Sequence, residues 1–224
     1  MLIFANTVDP HELVQLQKFI EVDGVTMNPS MIAEAALSNL GAVITDILSC
    51  LSGTVFVQVA CRSTEEGVAA GSALASISPR IHVKVPCTKV GSEVIRQLTS
   101  QGVQCNGTLC FSGVQALLAA KSGATSISVF LNRLNAAGRD GTGALNSITS
   151  SVRNYLIPLK IIAASLKGRD DIETAIEAGV DAMTLSPSEW LALLEDPLSE
   201  TGADQFHQDW QKIPRPTFVQ VERP

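Results

Sequence analysis

An eightfold alternation constrains this chain more than any other feature. Eight short apolar runs recur along it: "LIFAN" (2–6), "GVTMN" (24–28), "TVFVQVA" (54–60), "IHVKVP" (81–86), "CNGTLC" (105–110), "SISVFL" (126–131), "KIIAAS" (160–165) and "DAMTLS" (181–186). Stretches with helical periodicity lie between them. In "RDDIETAIEAGV" (169–180), Ile172, Ala175, Ile176 and Gly179 fall at helical spacing, and Gly179 is a stop signal. In "GSEVIRQLTSQG" (91–102), Val94, Ile95 and Leu98 form the stripe. Strand and helix alternating without a linker predict a parallel sheet. Eight strands are the number that closes a (β/α)8 TIM barrel, and 224 residues suffice for a short one. A doubly wound open sheet is the alternative, but it usually has fewer strands and a glycine-rich first turn. "FANTVDPHE" (4–12) is no such turn. The expected architecture is therefore a single (β/α)8 barrel domain over residues 1–224.

Composition bounds the chemistry. Hydrophobic residues make up 46% of the chain and aromatics only 4%, so the core is expected to be small and aliphatic. The net charge of −6 argues against a nucleic-acid groove, though a few local cations can still hold a small anion. The five cysteines are odd in number and form no CxxC pair, which reads as reduced, mostly buried thiols in a cytoplasm. No signal peptide is recognisable at the N-terminus, and no apolar run approaches the roughly 20 residues of a spanning helix.

Strand parity then selects candidate site residues. In "IHVKVPCT" (81–88), Ile81, Val83 and Val85 share one face, and His82 and Lys84 share the other. Each barrel strand has one face toward the helices and one toward the axis, and functional groups gather at the C-terminal strand ends. With Lys84 inward, the inward polar or bulky positions near the strand ends are Asn6, Asn28, Gln58, Thr108, Ser128, Phe130 and Ser165. Val25, Met27, Val57 and Val59 face outward. A lysine in such a funnel has two readings. One is a structural ion pair or phosphate-binding cation. The other is a nucleophile: desolvation lowers its pKa from the usual ~10.4, and the neutral amine can attack a carbonyl to form an iminium. No carboxylate stands near it in this stretch, which favours the nucleophile. His82, also inward, reads as a satisfied core histidine, and Asp140 as a solvated loop residue.

Five motifs carry a family resemblance. "GVTMNPS" (24–30), "VKVPCT" (83–88), "FLNRLNAAGRDG" (130–141), "AASLK" (163–167) and "FHQDW" (206–210) resemble the small transaldolases and fructose-6-phosphate aldolases, from the first strand to the C-terminal helix. The resemblance implies a (β/α)8 barrel and a class I Schiff-base mechanism with no metal and no cofactor. It also implies a homo-oligomer, a pentamer or decamer, with the helix around Trp210 reaching a neighbouring subunit. Carried over by position, Lys84 becomes the Schiff-base lysine. Asn28 would bind substrate hydroxyls. Gln58 and Thr108 would hold a proton-shuttling water. Arg133, Ser165 and Lys167 would bind the sugar's phosphate. Ser128 and Phe130 would line the substrate pocket.

The chain also departs from the family pattern. The first strand of relatives usually ends "LDT", with a carboxylate for proton transfer; here it reads "ANT", and Asn6 is no general base. "TTNPS" has become "TMNPS", with Met27 outward. Gln58 and Asn132 resemble the aldolases; Ser128 and Phe130 resemble the transaldolases. The leading expectation is an aldolase acting on a phosphorylated ketose with a dihydroxyacetone-type donor. Two alternatives stand beside it: a transaldolase moving the same unit between sugar phosphates, and a sugar-phosphate-binding barrel with little turnover. No nucleic-acid or membrane partner is expected.

Overall fold

The computed structural model of the chain describes residues 1–36 and 38–213. Its centre is a closed parallel barrel in sequence order, as the alternation predicts. The strands are β1 (Leu2–Asn6), β2 (Gly24–Met27), β3 (Thr54–Gln58), β4 (Ile81–Pro86), β5 (Cys105–Cys110), β6 (Ser126–Phe130), β7 (Lys160–Ala164) and β8 (Ala182–Leu185). The helices are α1 (Pro10–Leu16), α2 (Pro29–Glu34), α3 (Leu40–Cys50), α4 (Thr64–Ala75), α5 (Lys89–Ser100) and α6 (Gly113–Ser122). They continue as α7 (Leu131–Ala136), α8 (Gly141–Asn154), α9 (Gly168–Glu177), α10 (Pro187–Ala192) and α11 (Pro197–Gln211). Several strands stop one or two residues short of their apolar runs. Asn28 and Ser186 leave the sheet because each caps the following helix.

Caps explain why the helices start where they do. Asp9, Asn28, Asn39, Ser63, Thr88, Ser112, Asp140, Ser186 and Asp196 each accept a backbone N–H in a first helical turn. Each such cap contributes about 1 kcal/mol. Asp140 is exposed, as expected of a solvated residue, and it also caps α8. Six of the eight βα loops end in such a cap, whereas α7 and α9, which follow β6 and β7, begin without a side-chain cap.

The core has two layers, divided by strand parity. Outward residues, including Val25, Met27, Val57, Val83, Val85, Ile127 and Ile161, pack under the helices. Inward Phe4, Phe56, Ile162 and Ala182 form a separate apolar plug across the barrel axis. Gly24 makes room for this plug: a Cβ there would lie 2.6 Å from the Thr54 carbonyl oxygen and 3.0 Å from the Phe4 ring. Trp190 of α10 ties its helix to β1 by donating from Nε1 to the Phe4 carbonyl at 2.9 Å. All five cysteines are free thiols; Cys105 and Cys110 are buried, whereas Cys50, Cys61 and Cys87 are only half-buried. Among the described residues, no helix is long and apolar enough to cross a membrane.

Candidate active site

Register brings the sequence candidates together at one end of the barrel. Lys84 stands opposite Gln58 of β3 on one side and Asn106 of β5 on the other. Asn6 pairs with Thr26, and Thr108 with Pro86. Lys84 is 3% exposed. Among the described residues it has no carboxylate partner; the ion pairs are Arg153–Asp181, Arg169–Asp196 and Lys212–Asp209. Burial alone therefore acts on its amine and lowers the pKa to about 8. A buried ammonium without a counter-ion loses hydration that nothing replaces, so the neutral form gains. This arrangement favours the nucleophile over the structural ion pair.

Two hydrogen-bonded chains join inward side chains of the barrel, and one of them includes Asn106, the register neighbour of Lys84. In the first, Thr26 Oγ1 donates to Asn6 Oδ1 at 3.0 Å and lies 2.7 Å from Thr184 Oγ1. Since Thr26 spends its proton on Asn6, Thr184 must donate to Thr26. The Asn6 amide is thereby oriented, with its NH₂ left to donate. In the second chain, Ser128 Oγ donates to Asn106 Oδ1 at 3.0 Å, and Asn106 Nδ2 donates to Ser126 Oγ at 2.9 Å. All three residues are buried. Ser128 is thus a satisfied core hydroxyl. Thr108 is the contrast: its Oγ1 is buried and has no partner. An orphaned hydroxyl facing the funnel is available to a bound molecule.

The remaining candidates sit around the rim. Asn28 spends its side-chain oxygen on the N–H groups of Ser30 and Met31, so only its NH₂ can reach a substrate. Phe130 is buried at the end of β6, and the Arg133 guanidinium lies 5.2 Å from its ring centroid. That contact holds an otherwise exposed cation over the mouth. Ser165 follows β7 at φ 56, and Leu109 bulges β5 at φ 54. Left-handed backbone at a non-glycine residue costs about 1–3 kcal/mol, and such positions cluster where geometry serves a site. Lys167 is exposed and precedes α9; its backbone N–H donates to Asp171. A cavity of 410 Å³ is lined by Gln58 and Pro86 together with Val59, Cys61, Arg62 and Glu66; Lys84 is not among its lining residues.

Thr26, Asn106 and Thr184 were not among the sequence candidates. The signal for them was available: Thr26 shares its parity with Asn28, and Asn106 with Thr108. His82 corrects an expectation in the other direction. It is no satisfied core histidine, because its Nδ1 is buried without a partner. Its ring stands edge-on to Phe56 with centroids 5.0 Å apart, on the far side of the apolar plug from the Lys84 funnel.

Comparison with known proteins agrees with this geometry. Residues 3–217 match the family described as Transaldolase/Fructose-6-phosphate aldolase. A probable transaldolase of Phenylobacterium zucineum is 40% identical over 212 residues, covering 95% of this chain and 97% of the relative. A probable transaldolase of Herpetosiphon aurantiacus is 37% identical over 222 residues, covering 99% of this chain and all of the relative. A third, from Hydrogenobaculum sp., is 35% identical over 218 residues, covering 97% of this chain and all of the relative.

Proposed function

Because the chain belongs to the transaldolase/fructose-6-phosphate aldolase family, we propose that Lys84 forms a Schiff base with a phosphorylated ketose and that the enzyme transfers a dihydroxyacetone unit to an aldose phosphate. One observation carries this reading: the Lys84 amine is buried, has no carboxylate partner, and is held near pKa 8. About a tenth of such an amine is neutral at pH 7 and about half at pH 8, far more than for an ordinary lysine. It adds to the ketone carbon, and loss of water gives a protonated iminium. The iminium draws electrons from the adjacent bond. The hydroxyl on the departing carbon gives its proton to the bound water, the carbon–carbon bond breaks toward the iminium, the aldose phosphate departs with the new carbonyl, and the three-carbon unit stays on Lys84 as an enamine. An incoming aldehyde then takes that unit, and hydrolysis frees the lysine.

The other side chains support binding and proton movement. The orphaned Thr108 hydroxyl and the Gln58 amide would hold the water that carries protons. The Asn6 and Asn28 amides would donate to substrate hydroxyls. Arg133, with Ser165 and Lys167, would bind the phosphate. Ser128 would shape the wall through Asn106.

Transfer is favoured over release by Phe130. An apolar ring beside the enamine offers no phenol to activate water, so the enamine survives until an acceptor arrives. The names of the curated relatives point the same way. Release of the ketone, as in an aldolase, is the second reading; Gln58, an amide where a transaldolase wants an acid/base carboxylate, favours it.

A homo-oligomer belongs to the same proposal. No residue of α11 is buried, and Phe206 and Trp210 on it are 76% and 53% exposed, which suits a helix that packs on a neighbouring subunit. Borohydride reduction in the presence of fructose 6-phosphate, read by intact mass, tests the covalent step. The expected result is a three-carbon adduct on Lys84, and its absence ends the proposal. Ketose consumption that requires erythrose 4-phosphate supports transfer; consumption without an acceptor supports release.

A further inference from the structure

The N-terminal mouth of the barrel holds a second polar site. A cavity of 270 Å³ opens there, lined among others by Thr54, His82, Gln104, Ser126, Lys160 and Asp181. Its floor is the apolar plug of Phe4, Phe56 and Ile162, so it is separate from the Lys84 funnel.

Hydrogen-bond accounting shows what the cavity lacks. His82 Nδ1 is buried and unpartnered. Ser126 Oγ accepts from Asn106, which leaves its own proton to donate. Gln104 Oε1 accepts from Thr125, which leaves its NH₂. Lys160 enters no ion pair among the described residues. Asp181 is the one carboxylate in the lining, and both its oxygens are used, one by Arg153 and one by the Ile161 N–H. The lining therefore presents several donors and a cation that enters no ion pair among the described residues, while its one carboxylate, Asp181, is paired with Arg153; Asp23, before β2 and outside the lining, accepts from the Ile3 N–H.

We propose that this mouth binds a small oxyanion, phosphate or carboxylate, between the Lys160 ammonium, the His82 ring and the Ser126 hydroxyl. The cavity is below the usual range for ligand pockets of about 300–1,000 Å³, which limits the guest to a few heavy atoms. Cation and anion attract most strongly where water is excluded, and His82 stands half-buried against Phe56. Without an anion, burial and the Lys160 charge together lower the His82 pKa. An anion between the two would reverse the second influence and oppose the first. The other charges on this axis are the Arg153–Asp181 pair at the rim and Lys84 beyond the plug.

Ring-labelled histidine NMR on the full chain tests the site. The chain has three histidines, so His11 and His207 report general screening while His82 reports the mouth. The Arg133→Gln variant serves as background, because it weakens the proposed sugar-phosphate site at the opposite end. At constant ionic strength set with chloride, inorganic phosphate or malonate should raise the His82 titration midpoint by about one pH unit. Lys160→Gln should abolish that response while His11 and His207 titrate as before. A response to phosphate alone identifies a tetrahedral guest, and one to malonate alone a carboxylate; either supports the site. A His82 midpoint unmoved by both anions, or moved equally in Lys160→Gln, overturns it.

Discussion

Lys84 and Lys160 line the same barrel from opposite ends, and their surroundings give them different chemistry. Lys84 lies within β4, 3% exposed, with no counter-ion. Lys160 opens β7 at the N-terminal mouth and reaches water. The apolar plug of Phe4, Phe56 and Ile162 stands between the two ends. Burial without a counter-ion lowers the pKa of the first amine to about 8 and raises its neutral fraction, as the proposed nucleophile requires; the second stays within reach of solvent, where it can attract an anion. Residue type alone therefore does not assign a role in this fold. Depth along the strand does.

Replacing each lysine with methionine is the strongest way to break that contrast. Lys84→Met should abolish the borohydride adduct and lower ketose turnover by about 10⁴-fold or more, since Lys84 is the one buried lysine among the described residues. It should also stabilise the protein by about 1–3 kcal/mol, because a similar apolar chain replaces a polar group buried at a cost. Lys160→Met should change stability by no more than about 0.5 kcal/mol, as expected at an exposed position. Denaturant unfolding of both variants decides the matter. A destabilised Lys84→Met would mean that the amine makes stabilising contacts, and the contrast with Lys160 would fail.

Much of this contrast is legible in the primary structure. Eight apolar runs separated by helical stretches give the barrel, because strand and helix periods differ. One inward lysine then fixes the parity of β4, and the same end of each neighbouring strand supplies Asn6, Gln58 and Thr108. What parity cannot give is the partner across the barrel. The Thr184–Thr26–Asn6 and Ser128–Asn106–Ser126 chains depend on how far adjacent strands are staggered, which closure of the whole barrel sets. Local competition also hides roles: Asn28 looks free in "TMNPS" but spends its oxygen on capping α2. His82 departs from the expected satisfied histidine for a related reason. Inward parity was correct, but a position below the plug opens toward the mouth cavity and lacks the neighbours that would satisfy its nitrogen.

Asn6→Asp sharpens the comparison by restoring a carboxylate to the buried end. The Thr26 hydroxyl that now donates to Asn6 Oδ1 would donate to the new carboxylate and hold it in place. Turnover should rise about tenfold to a hundredfold, within the range for a positioned acid or base. The pH profile gives a second reading. In the parent, kcat/KM should climb about tenfold per pH unit and level near pH 8, because only the neutral amine adds to the ketone. In Asn6→Asp the levelling should move to higher pH, since a nearby negative charge favours the ammonium. Lower turnover in this variant at every pH would show that the chain uses another proton route and that Asn6 is no deficit.

Phe130→Tyr carries the smallest expected effect and addresses what happens after the carbon–carbon bond has broken. The ring sits at the end of β6 beneath the Arg133 guanidinium, 5.2 Å from its centroid, and a tyrosine keeps that stacking. The added hydroxyl brings one donor to the side of the funnel that also holds Thr108. If the enamine persists because nothing protonates it, a phenol that orders water should favour release of the ketone over transfer. The ratio of ketose consumed without acceptor to ketose consumed with it should rise several-fold, less than the full contribution of a positioned acid. Total flux should change less than the ratio, because formation of the Schiff base at Lys84 is untouched. An unchanged ratio would place the choice between release and transfer elsewhere, with Gln58 and its water the next position to vary.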